Sequence, residues 1–304
     1  MTTVRIGTRG SALARWQADW VSDQLKSQGV DVEIVFITTV GDATSGPIGQ
    51  IGGQGIFTKE VQRAVLKQEV DLAVHSLKDL PTESVPGLEL SAVPVRASSS
   101  DVLVSAVSDG WQSLPEGARV GTGSVRRQAQ LLAARPDLQL LGIRGNVDTR
   151  LRKLDDGEYD AILLAEAGLR RLGLGERITE VLTHDLMLPA VGQGALGIET
   201  RVDDELTHQV LEPLDDAETR ACTAAERSLL RSLHGGCSAP IGAAAQVVDQ
   251  QLQLSAVVLS PDGSTRLTAQ QHAERENAEE LGRSVALSLF EQGAEGLLQS
   301  ARDS

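Results

Sequence analysis

The chain has 304 residues and a formal net charge of −14, with 41% hydrophobic and 23% charged residues. This composition is typical of a globular protein with two or three domains, and the negative charge argues against a protein that binds nucleic acid or anionic membranes. No apolar run approaches the ~18 residues of a membrane span and no apolar signal core opens the sequence, so we expect a cytoplasmic protein.

The first predicted elements are a strand at Val4–Thr8 and, after a short turn, a helix. Ser11 precedes the apolar residues of that helix and is its expected N-cap. Arg9 then lies beside the positive end of the helix, which is the outline of an anion site. An exposed arginine next to an ordinary capped helix is the alternative.

A second strand is predicted within 30–39, and a long glycine-rich loop follows it as far as Gly55. Loops of this length and composition often cover a site. A helix over 57–68 and a buried strand over 71–77 come next. Lys78 and Asp79 directly follow that strand, and ligands gather at the carboxyl ends of strands in open α/β sheets. A surface ion pair remains the alternative for these two residues.

Two further strand-to-helix turns also carry arginine. Ser124 is the expected cap of a helix that opens with Arg126 and Arg127, and Arg144 stands before a helix that carries Arg150. Three such openings in an acidic chain predict that arginines are concentrated in a cleft. Several arginines together suit a small ligand with many carboxylates or phosphates.

The remaining elements separate the chain into two kinds of structure. A strand over 160–164 leads to a helix with Arg171, and this alternation of strands and helices predicts βαβ units and parallel sheets. A helix over 215–233 then carries Cys222. Three antiparallel strands and a closing helix predict a small α+β domain, with bounds of 241–248, 252–259, 266–272 and 277–292.

A G-x-G-x-x-G pattern occurs at Gly192, Gly194 and Gly197. A dinucleotide site requires a helix to open immediately after the glycines. The residues at 198–200 predict a strand instead, so we reject a dinucleotide site.

The two cysteines differ in their surroundings. Cys222 falls in a helical apolar pattern and is expected in the core, as most free cysteines are. Cys237 stands in a loop between Gly236 and Pro240, where neither a helix nor a central strand is expected. We expect no disulfide between them and no metal site. A structural loop thiol and a reactive thiol both remain open for Cys237.

Taken in order, six motifs resemble the hydroxymethylbilane synthase family, also called the porphobilinogen deaminase family. The combination and order of the motifs, from about residue 4 to the last helix, make the resemblance specific. The motifs are Arg9-Gly10-Ser11, Val74–Pro81, Gly121–Gln128, Arg144–Leu151, Leu188–Gly194 and Gly235-Gly236-Cys237.

The resemblance implies an α/β protein of three domains. Two are doubly wound domains similar to type II periplasmic binding proteins, with a central cleft between them. The first comprises 1–95 and 190–214, and the second comprises 96–189. The third, 215–304, is an α+β domain with a three-stranded antiparallel sheet that brings the cysteine toward the cleft.

The resemblance also implies the reaction. Four porphobilinogen molecules are joined head to tail with release of ammonia, and the chain is then hydrolysed to hydroxymethylbilane. The primer is a dipyrromethane cofactor held by a thioether to Cys237, and Asp79 is the catalytic carboxylate. A monomer is expected, with its product passed to the next tetrapyrrole enzyme and no nucleic acid or membrane as partner.

The same resemblance assigns the binding residues. Apart from Lys59, Asp79 and Gln193, they match family positions that hold acetate and propionate groups. Lys59 matches a basic position on the lid side. The positions for the cofactor are Lys78, Asp79, Ser124, Arg126, Arg127, Arg144 and Arg150. The positions for the substrate are Arg9, Ser11, Arg144, Arg150, Arg171 and Gln193.

The chain departs from the family pattern at Val40, at Gln54 and over 97–101, which puts the contacts of the lid and the behaviour of the hinge in question. Two other functions were weighed. A solute-binding protein for a polycarboxylate needs neither the loop cysteine nor Asp79. A thiol-dependent hydrolase would pair Cys237 with His234, but no third residue is evident to orient that histidine.

Overall fold

The computed structural model describes residues 3–39, 55, 58–235 and 239–302. The chain divides into two compact units. The first contains Met1–Ala97 and Ala195–Arg220, and the second contains Ser98–Gly194 and Ala221–Ser304.

The helices and strands follow one another in the order that the sequence alternation predicts. The helices of the described ranges are α1 (Ala12–Ser27), α2 (Lys59–Leu66), α3 (Val125–Ala134), α4 (Val147–Asp155), α5 (Glu166–Arg171), α6 (Glu205–Leu211), α7 (Ala217–Ser232), α8 (Ala278–Glu291) and α9 (Ala294–Arg302). The strands are β1 (Val4–Thr8), β2 (Val32–Phe36), β3 (Leu72–Ser76), β4 (Leu88–Ala92), β5 (Asp101–Ser105), β6 (Arg119–Gly121), β7 (Gln139–Leu141), β8 (Ala161–Ala165), β9 (Glu180–Val181), β10 (Leu196–Arg201), β11 (Ile241–Val248), β12 (Gln251–Leu259) and β13 (Arg266–Ala273). Short 3₁₀ helices lie at Leu77–Asp79, Gly175–Arg177, Glu212–Leu214 and Arg275–Asn277.

The first unit is built on a five-stranded sheet of order β2-β1-β3-β10-β4. Strands β1, β2 and β3 are parallel, whereas β10 is antiparallel to both β3 and β4. The strand predicted over 198–200 is therefore confirmed as part of β10. The predicted parallel pairing is confirmed for β1, β2 and β3, and the sheet as a whole is mixed, because β10 is reached by a return from residues 98–194 and not by a βαβ crossover.

Helices cover both faces of this sheet. Because side chains alternate along a strand, Leu72 and Val74 face α1 while Ala73 faces α2. The α1 face is filled by Ala18, Val21 and Leu25, which lie three and four residues apart. The carboxyl ends of β1 and β3 are thereby fixed side by side, and the residues that follow them share one edge of the sheet.

The second unit repeats this plan with different side chains. Its sheet has the order β7-β6-β8-β5-β9, in which β5 is antiparallel to β8 and β9. In each unit an arginine of the strand parallel and next to the central strand forms an ion pair with the aspartate that immediately precedes the central strand. Arg5 Nη2 lies 2.7 Å from Asp71 Oδ1, and Arg119 Nη2 lies 2.8 Å from Asp160 Oδ1. We call these two ion pairs the strand clamps. The sequence analysis did not detect this repeat.

The second unit also contains the three-stranded antiparallel sheet β11-β12-β13, as predicted for the C-terminal region. Helices α7 and α8 pack on one core with this sheet, through residues such as Leu229, Val258 and Val285. Helix α9 was not predicted. The division of the chain into three domains stays a prediction, since one compact unit holds both this sheet and the second α/β sheet.

Candidate active site

A pocket in the first unit gathers residues from the ends of β1 and β3. Ser11 caps α1, as the sequence predicts, by accepting a hydrogen bond from Ala14 N at 3.4 Å. Gln17 Nε2 donates to Ser76 Oγ at 2.7 Å and so joins α1 to the end of β3. The polar side chains that line the pocket are Arg9, Ser11, Gln17, Thr58, His75, Ser76 and Asp79.

Asp79 is presented to this pocket by a short, well-anchored turn. It ends the 3₁₀ helix Leu77–Asp79, whose Leu77 N donates to Ala195 O at 3.0 Å. Leu77 and Leu80 are buried on either side, while Asp79 is exposed and Lys78 is half-buried. Apolar anchors before and after the two charged residues therefore hold Asp79 at the pocket and Lys78 beside it.

Lys59 is exposed and is the first residue of α2. Its backbone N donates to Gly55 O at 3.0 Å. The helix predicted over 57–68 is confirmed over Lys59–Leu66, and position 57 lies outside the described residues. Most of the preceding glycine loop, including Val40 and Gln54, also lies outside them. The lid role of Lys59 therefore stays a prediction.

In the second unit, Arg126 and Arg127 surround one buried carboxylate. Arg126 Nη1 lies 2.6 Å from Asp101 Oδ2, and Arg127 Nη2 lies 2.6 Å from Asp101 Oδ1. Arg126 also donates to Leu188 O at 2.7 Å, and Arg127 donates to Leu163 O at 2.9 Å. Burial alone raises the pKa of Asp101, but the two arginines outweigh it and hold that pKa well below its usual value.

This arrangement gives the two arginines a structural task that the sequence analysis missed. Only 5% of Arg126 and 6% of Arg127 is exposed. Both guanidinium groups compensate a carboxylate of the same unit, whereas the sequence analysis assigned both to the cofactor. Their contact with the cofactor stays a prediction. No pattern in the sequence links Asp101 to a helix that begins about two dozen residues later.

Gln193 is likewise occupied within the second unit. Its Nε2 donates to Ser99 O at 2.7 Å and to Asp101 Oδ1 at 2.8 Å, which uses both amide hydrogens. Gln193 is also 1% exposed. After Arg126 and Arg127, Gln193 is thus the third side chain that donates to Asp101. Its role in binding substrate stays a prediction.

Arg150 lies where positive charges crowd together. Burial, followed by the nearby charges of Arg127 and Arg144, lowers the pKa of Arg150 to about 10. Its Nε donates to Gly145 O at 2.8 Å, which holds the guanidinium at the opening of α4. Ser124 caps α3 in the same unit by accepting from Arg127 N at 3.5 Å. The sequence analysis predicted an anion site among these residues, and an anion would relieve the repulsion between the arginines.

Arg171 ends α5 and is half-buried. Burial lowers its pKa to about 10. Its Nη2 donates to Gly194 O at 2.7 Å. The predicted substrate contact of Arg171 stays a prediction, and the structure gives this side chain a partner in the segment that leads to β10.

Cys237 lies outside the described residues, but the segment before it is defined. Helix α7 ends at Ser232, and His234 has a positive φ of 48°. Gly235 is buried, and a Cβ there would stand 2.5 Å from Leu230 Cδ1 and 2.6 Å from Ile241 Cδ1. A larger residue where the chain leaves α7 would therefore require the ends of the Leu230 and Ile241 side chains to move. Cys222 is a buried cysteine in the core of this region, as predicted.

The described residues contain neither a metal-binding cluster nor a membrane-spanning helix. No group of three or more His, Cys, Asp or Glu side chains there is arranged to hold a metal ion. None of the helices in those ranges has the length and apolar character required to cross a membrane.

The chain is similar to porphobilinogen deaminases along nearly all of its length. Residues 4–209 match the family model described as the dipyromethane cofactor binding domain of porphobilinogen deaminase, and residues 220–291 match the model of its C-terminal domain. A porphobilinogen deaminase of Desulforudis audaxviator is 50% identical over 302 residues, with 98% of each chain covered. One of Stenotrophomonas maltophilia is 48% identical over 301 residues, with 98% of this chain and 99% of that protein covered.

Solved structures of periplasmic-binding-protein-like, two-domain fold are also similar. The methionine binding protein MetQ has a TM-score of 0.45 and 13% identity, with 74% of this chain and 94% of that chain covered. A periplasmic substrate-binding protein of an ABC transporter from Coxiella burnetii has a TM-score of 0.45 and 14% identity, with 74% of this chain and 96% of that chain covered.

Proposed function

The chain belongs to the porphobilinogen deaminase family, and from that premise we propose which of its residues carry out the family's reaction. The chain is a transferase of tetrapyrrole biosynthesis that polymerises porphobilinogen and uses a dipyrromethane cofactor. The proposal concerns the residues that hold the cofactor, bind the substrate and move protons.

The residues of the second unit suit the proposed cofactor. Dipyrromethane carries acetate and propionate groups on both pyrroles, so its site must supply several cations. Burial and the like charges of Arg127 and Arg144 lower the pKa of Arg150, and Ser124 adds a further donor. When bound through a thioether to Cys237, the cofactor supplies the acceptor end to which porphobilinogen is added.

The observation that carries the proposal is the pocket that collects Arg9, Ser11 and Asp79 in the first unit. We propose that Arg9 and Ser11 bind the carboxylates of porphobilinogen. Asp79 would then face the nitrogen-bearing part of the substrate, where its carboxylate stabilises positive charge and can accept or return a proton as ammonia leaves. Because Asp79 is anchored by Leu77 and Leu80, its carboxylate needs little reorganisation during the reaction.

Asp79→Asn tests the catalytic assignment. Asparagine has nearly the same shape but carries no negative charge and accepts no proton. We expect kcat to fall at least ~10²-fold with a smaller change in KM, because the interaction belongs mainly to the transition state. Quenched-flow measurement of ammonia release checks this, and intact mass checks that the cofactor remains. A cofactor-loaded variant with kcat within about tenfold of wild type would remove Asp79 from the mechanism.

Cys237→Ser tests the attachment of the cofactor. The denatured wild-type protein should weigh more than its sequence by two porphobilinogen units less the ammonia lost. The Cys237→Ser protein should lack this added mass, whereas Cys222→Ser should keep it because Cys222 lies in the core. An unmodified mass for active wild-type enzyme contradicts the assignment.

We further propose that the protein is a cytoplasmic monomer that condenses four porphobilinogen molecules and passes its product to the next tetrapyrrole enzyme. The net charge of −14 supports a protein without nucleic-acid or anionic-membrane partners. Light scattering of the purified holoenzyme across a range of concentrations tests the monomer. A mass that doubles with concentration would contradict it.

A further inference from the structure

Behind the pocket of the first unit lies a buried polar cluster that the reaction described above does not use. It consists of Gln62 in α2, His75 in β3 and Glu199 in β10, each 5% exposed. Gln62 Nε2 lies 2.9 Å from Glu199 Oε2 and 3.1 Å from Oε1. His75 Nε2 lies 3.0 Å from Glu199 Oε2.

A carboxylate in such a position is costly unless its neighbours compensate it. Glu199 is flanked by Gln62 on one side and by His75 on the other. The buried Nε2 of His75 has no well-aligned hydrogen bond within the described residues, so the contact with Glu199 is its polar compensation. The carboxylate therefore holds together two elements that would otherwise leave polar groups unsatisfied.

Both elements form walls of the pocket. His75 lines it directly, and its neighbour Ser76 is joined to Gln17. On the other side, Gln62 N donates to Thr58 O at 2.8 Å in the first turn of α2, and Thr58 also lines the pocket. A shift of Gln62 would therefore move Thr58 with it. Asp79 is held by contacts other than those of Glu199, through Leu77 N to Ala195 O and through buried leucines.

We propose that Glu199 is a positioning residue, which joins Gln62 to His75 and so sets the separation of the two pocket walls that receive porphobilinogen. The inference rests on the proposed function, because it takes this pocket as the site of the substrate. Since Asp79 has its own anchors, loss of Glu199 should weaken substrate binding more than it slows the chemical step.

The first experiment compares steady-state kinetics of wild-type, Glu199→Leu and Gln62→Leu holoenzymes, with cofactor loading matched by intact mass. We expect KM for porphobilinogen to rise roughly tenfold in both variants while kcat stays within about threefold, because a broken buried hydrogen-bond pair acts on this scale. Either variant can carry the test if the other does not fold.

The matched control is Asp71→Asn. Asp71 is also a carboxylate paired across strands of the same sheet, but it lies at the opposite end of β3 from the pocket. This variant should lose stability and keep the wild-type KM. If Glu199→Leu and Gln62→Leu behave like Asp71→Asn, with KM within about twofold of wild type, Glu199 is merely structural and the proposal is wrong.

The double variant Gln62→Glu with Glu199→Gln gives a sharper test. It exchanges the carboxylate and the amide, so that the amide at 199 can donate to position 62 while its oxygen accepts from His75. Recovery of KM to within about threefold of wild type supports the proposal, because only the join between the walls has been restored. If the double variant recovers the wild-type melting temperature but not the wild-type KM, the proposal is wrong.

The outcome can be separated from a failure of the proposed function. Should Asp79→Asn keep its kcat, the pocket itself is misassigned. When Asp79→Asn loses kcat but Glu199→Leu leaves KM unchanged, the pocket stands and only the positioning role is refuted.

Discussion

At the scale of single residues, Arg127 and Arg144 look alike in the sequence but differ in their burial and in their charged neighbours. Arg127 donates to Asp101 through Nε and Nη2, at 3.0 and 2.6 Å, while Arg144 is half-buried and acts on Arg150 as a like charge. The first arginine compensates a buried opposite charge, and the second adds to a positive cluster. The two should therefore respond differently to the same substitution.

Arg127→Leu should destabilise the protein by ~3 kcal/mol, because it removes one partner of a fully buried carboxylate. Arg144→Leu should change stability by less than ~1 kcal/mol and instead reduce cofactor loading. Urea unfolding at pH 7 measures the first effect, and intact mass measures the second. Equal stability of the two variants would show that Asp101 does not depend on Arg127.

The sequence could not separate these arginines, because the decisive partner is distant along the chain. Ser124 and the residues beside it predict an anion site, and its cap is confirmed. Asp101 belongs to β5, and its carboxylate meets Arg126 and Arg127 only through the packing of the sheet. Asp79, by contrast, was predicted as a candidate from its place after a buried strand, which is a local signal, and it lines the pocket of the first unit.

At the scale of elements, the strand clamps hold the beginning of the central strand in each unit. Burial on its own raises the pKa of Asp71, but hydrogen bonds from the side chain and backbone of Arg5 outweigh it and lower that pKa below its usual value. The Arg119 side chain lowers the pKa of Asp160 in the same way. Both carboxylates bind protons less readily in the folded chain than in the unfolded chain.

The clamps should therefore stabilise the fold above the unfolded-state pKa of about 3.9 and lose this effect as the pH falls toward their lowered pKa values. Asp71→Asn should cost ~1 kcal/mol at neutral pH, with most of the difference from wild type gone in strong acid. Urea unfolding at several pH values between about 7 and 2.5 checks the sign. A difference that grows in acid would contradict it.

The crossing of α7 and α8 depends on one glycine. A Cβ at Gly282 would stand 2.4 Å from Ala225 O and 2.7 Å from Leu229 N. Gly282→Ala should therefore destabilise the protein by about 1–3 kcal/mol through overpacking. Gly296→Ala in α9, where a Cβ meets nothing within 4 Å, should stabilise it by roughly 0.5–1 kcal/mol through helix propensity. Thermal unfolding of the two variants measures these effects. Equal changes in melting temperature would show that α7 and α8 do not approach closely at Gly282.

Elements with strong periodic patterns were predictable, and short ones were not. The three strands of the C-terminal sheet and α7 and α8 appear within a few residues of their predicted bounds. β4, β5 and β9 were missed, because β9 has two residues and the other two have no local helix to mark a crossover. The direction of β10 was also beyond local pattern, since it depends on the path of the chain through the second unit.

At the scale of the whole molecule, positive charge is concentrated at one place in a chain whose net charge is negative. The chain carries −14 overall, yet Arg127, Arg144 and Arg150 are close enough to act on one another. The lowered pKa of Arg150 means that its charge is opposed by burial and by its neighbours in the folded chain. At neutral pH this guanidinium is still protonated, so the folded protein without a bound anion carries an electrostatic penalty there.

A bound polycarboxylate should remove that penalty. The Cys237→Ser protein, which is expected to lack the cofactor, should gain thermal stability from citrate, because a ligand that binds only the folded state stabilises it by about 2.7 kcal/mol at one hundred times its Kd. Sodium chloride at the same ionic strength should stabilise the protein less, since it screens the charges without bridging the arginines.

Two further proteins serve as controls. Adding Arg144→Leu to Cys237→Ser should reduce the stabilisation by citrate, and cofactor-loaded wild type should show little of it because its site is filled. Differential scanning fluorimetry of the three proteins measures these shifts, and a citrate effect that is equal in all three would place anion binding elsewhere in the molecule.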